Sequence, residues 1–215
     1  MIEAIIFDCD GVIIDSEVIY LESLVDYLKT LSIECTIKDV QLVVGKPILD
    51  IAATLQKQFN LYDYTLDEII IGQRKVFHER FYNSPLSPMQ GLVEFLDSCS
   101  SKNIKIAVAS SSQEGYVVDL LERFNIKKYF NVIVTGEQVT HGKPAPDIFL
   151  LASNKLGINK KNTVVIEDSY NGINAGINAE IFTIGFKGSK LVQDTSNANI
   201  EAYSFKEVEQ IISTL

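Results

Sequence analysis

Four short apolar runs constrain what this chain can fold into: 4–7 (AIIF), 104–109 (IKIAVA), 132–134 (VIV) and 163–166 (TVVI), each stopping at polar or small residues. A fifth, 181–184 (IFTI), lies near the C-terminus. Short β-rich runs separated by helical patterns suggest parallel strands joined by helical crossovers. Leu92, Val93, Phe95 and Leu96 are spaced as one helix face, as are Val117, Val118, Leu120 and Leu121. Residues 147–156 read as a helix entered after Pro144 and Pro146. The expected class is α/β, a doubly wound parallel sheet, with ligands at the carboxyl ends of the strands.

Residues 16–82 break that alternation. They hold amphipathic stretches at 18–31, 37–44, 48–59 and 66–81 and no convincing strand. They read as a helical subdomain inserted after the first strand, so that 1–15 and 83–215 form the α/β core and 16–82 a helical cap. Pro85, Pro88 and Gly91 suit the return to the core.

A chain of 215 residues can bury roughly 70% of its unfolded surface without a disulfide or structural metal. A net charge of −9 argues against unassisted binding to nucleic acid or an anionic membrane. It also requires any anionic substrate to be attracted by a metal ion or a few placed cations. Cys9, Cys35 and Cys99 are odd in number and widely spaced, which fits neither a disulfide framework nor a zinc site. No secretory signal or membrane-length apolar run is read, so a cytoplasmic protein is expected, without nucleic-acid or membrane partners and as a monomer or weak homo-oligomer.

Chemistry concentrates where the runs end. Asp8 and Asp10 follow the first run, with Gly11 to let the chain turn. Period-two geometry puts both carboxylates on roughly one side, and burying them uncompensated costs several kcal/mol each. A hard divalent cation is the economical counter-ion, and magnesium suits a site that also holds phosphate. Glu167 and Asp168 end the 163–166 run in the same way, with Asp168 the better metal ligand and Glu167 supporting it. Ser110-Ser111-Ser112 follows the second run and offers hydroxyls and backbone N–H groups for phosphate. Lys143 sits in a loop fixed by Gly142, Pro144 and Pro146. An acidic turn, a helix cap or a surface lysine explains each feature alone. None explains all of them at neighbouring strand ends.

With these motifs in place, Asp-x-Asp-Gly-Val, Lys-Pro-x-Pro-Asp-Ile-Phe and Glu-Asp-Ser-x-x-Gly-Ile, the whole chain resembles the haloacid dehalogenase superfamily, in its β-phosphoglucomutase-like branch with a helical cap. The resemblance implies a Rossmann-like core and Mg2+ held by Asp8, Asp10, Glu167 and Asp168. It implies Asp8 as nucleophile, Asp10 as general acid/base, and Ser110, Ser111 and Lys143 as phosphate ligands. Tyr20 stands where the mutases of that branch have a cap histidine. After Gly45, Lys46-Pro47-Ile48 supplies no mutase-type arginine, whereas Lys75 matches a cap lysine. Tyr20, Lys46 and Lys75 are therefore candidates for specificity, with His78 nearby. Glu180 stands where relatives have glycine. The departures at Tyr20 and Ile48 favour a phosphatase acting through an aspartyl phosphate on a small phosphorylated metabolite, such as a sugar phosphate; the one at Glu180 concerns a turn. A β-phosphoglucomutase-type mutase and a phosphate-binding regulator without turnover are the alternatives.

Overall fold

A computed structural model describes the chain except for Gly45, Ser84, Pro85 and Val192. The expected cap glycine, Gly45, and one proline of the return segment, Pro85, lie outside the described residues. Two compact units emerge: Met1–Asp15 with Ser87–Leu215, and Ser16–Leu86.

The larger unit carries six parallel strands: β1 (Ala4–Phe7), β2 (Lys105–Ser110), β3 (Val132–Thr135), β4 (Thr163–Glu167), β5 (Phe182–Phe186) and β6 (Ile200–Ala202). Their order is β3-β2-β1-β4-β5-β6. The chain starts in the middle of the sheet and builds outwards in both directions, the doubly wound arrangement that creates a crevice at the central strand ends. The same unit contributes the helices at Leu92–Ser101, Glu114–Arg123, Asp147–Leu156, Tyr170–Asn178 and Phe205–Thr214.

Alternation along β1 sorts the two faces. Ala4 and Ile6 join Ala107, Ala109 and Val165 under Ile148, Phe149 and Ala152 of the Asp147–Leu156 helix. Phe7 points to an aromatic cluster instead, with ring centroids 6.0 Å from Phe95 and 6.3 Å from Phe205. Phe205 stacks on Phe95 at 5.4 Å and meets Phe186 at 4.7 Å, which pins the C-terminal helix to that face. Each fully buried apolar side chain contributes about 1.5–3 kcal/mol, so this central strand is fixed from both sides.

Two differences from the sequence reading matter, one at the ends of β2 and β4 and one at β6. The β2 and β4 strands run on to include Ser110 and Glu167, which the apolar runs had left just outside. Those residues continue the ladder, Ser110 opposite Thr135 and Glu167 opposite Gly185, so their backbones are held as firmly as the core. β6 was not anticipated, because Ile-Glu-Ala carries no apolar run. Glu180 holds a left-handed backbone (φ 56°), the conformation for which glycine is usual.

The second unit, Ser16–Leu86, is helical: Ser16–Thr30, Ile37–Val40, Ile48–Gln58 and Leu66–Asn83. Its first and last helices are tied by Arg80, whose Nη2 donates to Glu22 Oε2 at 2.6 Å and whose Nη1 donates to Asp26. Among the described residues, no helix is long and apolar enough to cross a membrane.

Candidate active site

Asp8 continues the ladder past β1, its backbone N–H donating to Ile166 O at 2.9 Å. That bond sets Asp8 beside Glu167 and Asp168, and the three carboxylates each bring an oxygen within 4.8 Å of the others. All three are buried, at 7%, 1% and 3% exposure. Lys143 enters this cluster from the loop after β3. Its Nζ donates to Asp8 Oδ1, to Glu167 Oε1 at 2.8 Å and to Ala109 O at 3.3 Å. The ammonium also lies 5.0 Å from the Phe149 ring centroid, a cation–π contact from beneath.

Charge explains the titration of this group. Burial, the largest influence, pushes Asp8 up to about 7; Lys143 opposes it, and Glu167 and Asp10 add to it. Burial works against the Lys143 ammonium, yet Asp8 and Glu167 outweigh it and hold its pKa above the ordinary lysine value. The neighbouring Cys9 thiol is driven well above its usual range by burial and by Asp10 and Asp8, so it stays protonated and unreactive.

Two glycines make the packing possible. Gly11 has a positive φ of 82°, and a β-carbon there would fall 1.9 Å from Asp168 Oδ2. Gly172 lies against the other acid: a β-carbon would meet Glu167 Oε1 at 1.6 Å. Glu167 is held further by Ser169, whose N–H and O–H donate to Oε2 at 2.6 and 3.0 Å. Ser169 Oγ in turn accepts from Gly172 N at 3.1 Å and caps the Tyr170–Asn178 helix. Ser169 is thus the N-cap of that helix, and Asp168 belongs to the cluster.

The donor set fits a hard divalent cation. Three buried carboxylates face one ammonium, an excess of negative charge that costs several kcal/mol per ion unless compensated. All the side-chain donors are oxygens, the chemistry magnesium prefers. Glu167 has both oxygens engaged, by Lys143 and by Ser169, and so suits a supporting place beside Asp8 and Asp168.

The remaining expected residues divide into two groups. Asp10 lies outside the three-acid cluster; its Oδ2 accepts from Ser112 Oγ at 3.0 Å and its Oδ1 from Tyr116 OH at 2.9 Å. Ser110 is 1% exposed, and its Oγ accepts from Ser112 N at 3.1 Å. Ser111 is exposed, and its carbonyl packs on Gly136, where a β-carbon would approach to 3.0 Å. Tyr20, Lys46 and Lys75 belong to the helical unit. Within it Tyr20 OH donates to Gln73 Oε1 at 2.9 Å, Lys46 Nζ donates to Thr54 Oγ1 at 3.2 Å, and Lys75 is exposed. His78 is exposed, its ring 4.4 Å from that of Tyr82.

Residues that the sequence did not mark also reach the site. Tyr116 is one; Gln193, whose Nε2 donates to Asp168 Oδ2 at 3.4 Å, is another. Asp15 anchors the loop carrying Gln193, accepting from Ser189 Oγ at 2.9 Å and Lys190 N at 3.2 Å. No motif marks these contacts, because each joins segments far apart in the chain.

Comparison with known proteins agrees with this layout. Residues 5–186 match the family model described as haloacid dehalogenase-like hydrolase. A phosphorylated carbohydrates phosphatase of Thermotoga maritima is 34% identical over 185 residues, covering 83% of this chain and 82% of its own length. A fructose-1-phosphate phosphatase of Escherichia coli is 28% identical over 173 residues, covering 80% of this chain and 89% of its own. Among solved structures, a putative β-phosphoglucomutase from Thermotoga maritima superposes with a TM-score of 0.85 at 28% identity, with all of both chains covered. With the strand order, the paired acids and the lysine already in place, the chain belongs to the haloacid dehalogenase-like hydrolase family.

Proposed function

We propose that this chain is a magnesium-dependent phosphatase that hydrolyses a small phosphorylated metabolite, of the sugar-phosphate class, by way of a phosphoryl group carried on Asp8. The observation that carries the reading is the buried cluster of Asp8, Glu167 and Asp168 around Lys143. Two relatives, a phosphorylated carbohydrates phosphatase and a fructose-1-phosphate phosphatase, support the substrate class.

In the first half-reaction an Asp8 carboxylate oxygen forms a bond to phosphorus as the bond to the leaving oxygen breaks, and Asp10 gives that oxygen its proton. In the second, water loses a proton to Asp10 and attacks phosphorus, releasing inorganic phosphate and restoring the Asp8 carboxylate. Lys143 keeps positive charge where an anionic nucleophile must meet an anionic ester. Glu167 holds Lys143 in place, and Ser110 supplies a hydroxyl at the neighbouring strand end. Bound magnesium, held by Asp8 and Asp168, supplies the further positive charge that lets carboxylate and phosphate approach.

A mutase is the second reading, favoured by the likeness to the putative β-phosphoglucomutase. Hydrolysis and transfer differ in one product. A panel of phosphorylated metabolites assayed with magnesium for inorganic phosphate decides between them: stoichiometric phosphate release supports hydrolysis, and isomerised sugar phosphate without free phosphate refutes it.

A further inference from the structure

Asp10 is gripped at both oxygens by hydroxyls from one short segment, Ser112 on Oδ2 at 3.0 Å and Tyr116 on Oδ1 at 2.9 Å. From this geometry we infer that Tyr116 is a positioning residue for proton transfer, holding the Asp10 carboxyl in the orientation from which it serves the leaving oxygen. The inference rests on the reading of Asp10 as the acid and base of the reaction.

Several observations support it. Tyr116 lies in the first turn of the Glu114–Arg123 helix, and the adjacent Val117, with Leu120 and Leu121, is wholly buried. The phenol is thus presented from a helix locked into the core. Glu114 N donates to Glu137 Oε2 at 2.9 Å, which ties the start of the same helix to the segment after β3. Donors on both oxygens fix the plane of the Asp10 carboxyl. Bonds from O–H to a carboxylate are charge-assisted and roughly twice as strong as neutral ones. A hydroxyl also accepts, so neither contact need break when Asp10 carries its proton during turnover. Packing alone would use the ring and not the oxygen.

Tyr116→Phe removes that oxygen and little else, so it separates the two roles. The probe is a series of substituted phenyl phosphates, from 4-nitrophenyl phosphate to unsubstituted phenyl phosphate, assayed with magnesium. The ratio kcat/KM covers the steps up to release of the phenol, where proton donation counts most for the poorer leaving group. Tyr116→Phe is expected to lower kcat/KM about tenfold on phenyl phosphate and less than about twofold on 4-nitrophenyl phosphate, with Ser112→Ala showing the same pattern. Asp10→Ala should show it more steeply, approaching the roughly 10²–10⁴-fold typical of general acid catalysis. Equal losses on both esters in Tyr116→Phe, beside a steep pattern in Asp10→Ala, would overturn the inference alone. Equal losses in Asp10→Ala would overturn the acid role of Asp10 and the inference with it. If Tyr116→Phe fails to fold, Ser112→Ala gives the same test of the grip on Asp10.

Discussion

Gly172 and Glu167 are packed so closely that a single added carbon on the glycine would fall 1.6 Å from the Glu167 Oε1 atom that accepts from Lys143. Gly172→Ala must therefore push Glu167 aside, although alanine is the better helix former. Overpacking of this kind costs about 1–3 kcal/mol, against a helix-propensity gain near 1. The expected result is a variant of equal or lower stability that has lost at least about tenfold in kcat/KM, since small misplacements at a reacting centre are costly. Gly115, also helical, has nothing within 4 Å of the same added carbon. Gly115→Ala should raise stability by about 0.5–1 kcal/mol. Denaturant melts and phosphate-release assays of the two variants check both statements.

Among the described residues, Lys143 is the one cation bonded to both Asp8 and Glu167. Lys143→Met leaves those acids buried without it, a change that costs about 3–5 kcal/mol when one partner of a buried pair is removed. A divalent ion can supply part of the missing charge. Melts should therefore show the variant recovering more stability on magnesium addition than the wild type does. An equal magnesium response in both proteins would contradict the charge account of the site.

The raised pKa of Asp8 fixes the sign of a pH effect. Burial lifts it from 3.8 to about 7, so the folded, metal-free protein holds this proton more tightly than the unfolded chain. The contribution is fully present below the unfolded value and is lost as pH rises through the folded one. Denaturant unfolding in chelator should show wild type losing stability relative to Asp8→Asn between pH 5 and pH 7. Magnesium competes with the same proton, so its apparent affinity should weaken as pH falls below about 7, by up to tenfold per unit. Calorimetric titration at several pH values reads this directly.

The strands of the core were legible because a parallel sheet buried on both faces demands unbroken apolar runs, and 4–7 and 163–166 are such runs. The acids at their ends were legible for the complementary reason: charge so near a buried strand needs a purpose. Ser110 and Glu167 were placed one step outside their strands because hydropathy stops before backbone pairing does. β6 escaped notice because it is three residues long and only partly buried. Tyr116 and Gln193 could not be found in the sequence, since their contacts with Asp10 and Asp168 join positions 106 and 25 residues apart. The Asp10 carboxylate accepts from two hydroxyls and stands outside the group of three buried acids.

The central claim is that Asp8 carries the phosphoryl group, and trapping that group tests it most directly. The enzyme is mixed with magnesium and 4-nitrophenyl phosphate, quenched in acid within milliseconds to seconds, digested and examined by mass spectrometry. The account predicts one phosphoryl group on the peptide containing Asp8, formed no more slowly than turnover and absent from Asp8→Asn, which should also be inactive. A phosphoryl group trapped on another residue, or an Asp8→Asn variant retaining more than about a tenth of wild-type activity, would contradict it.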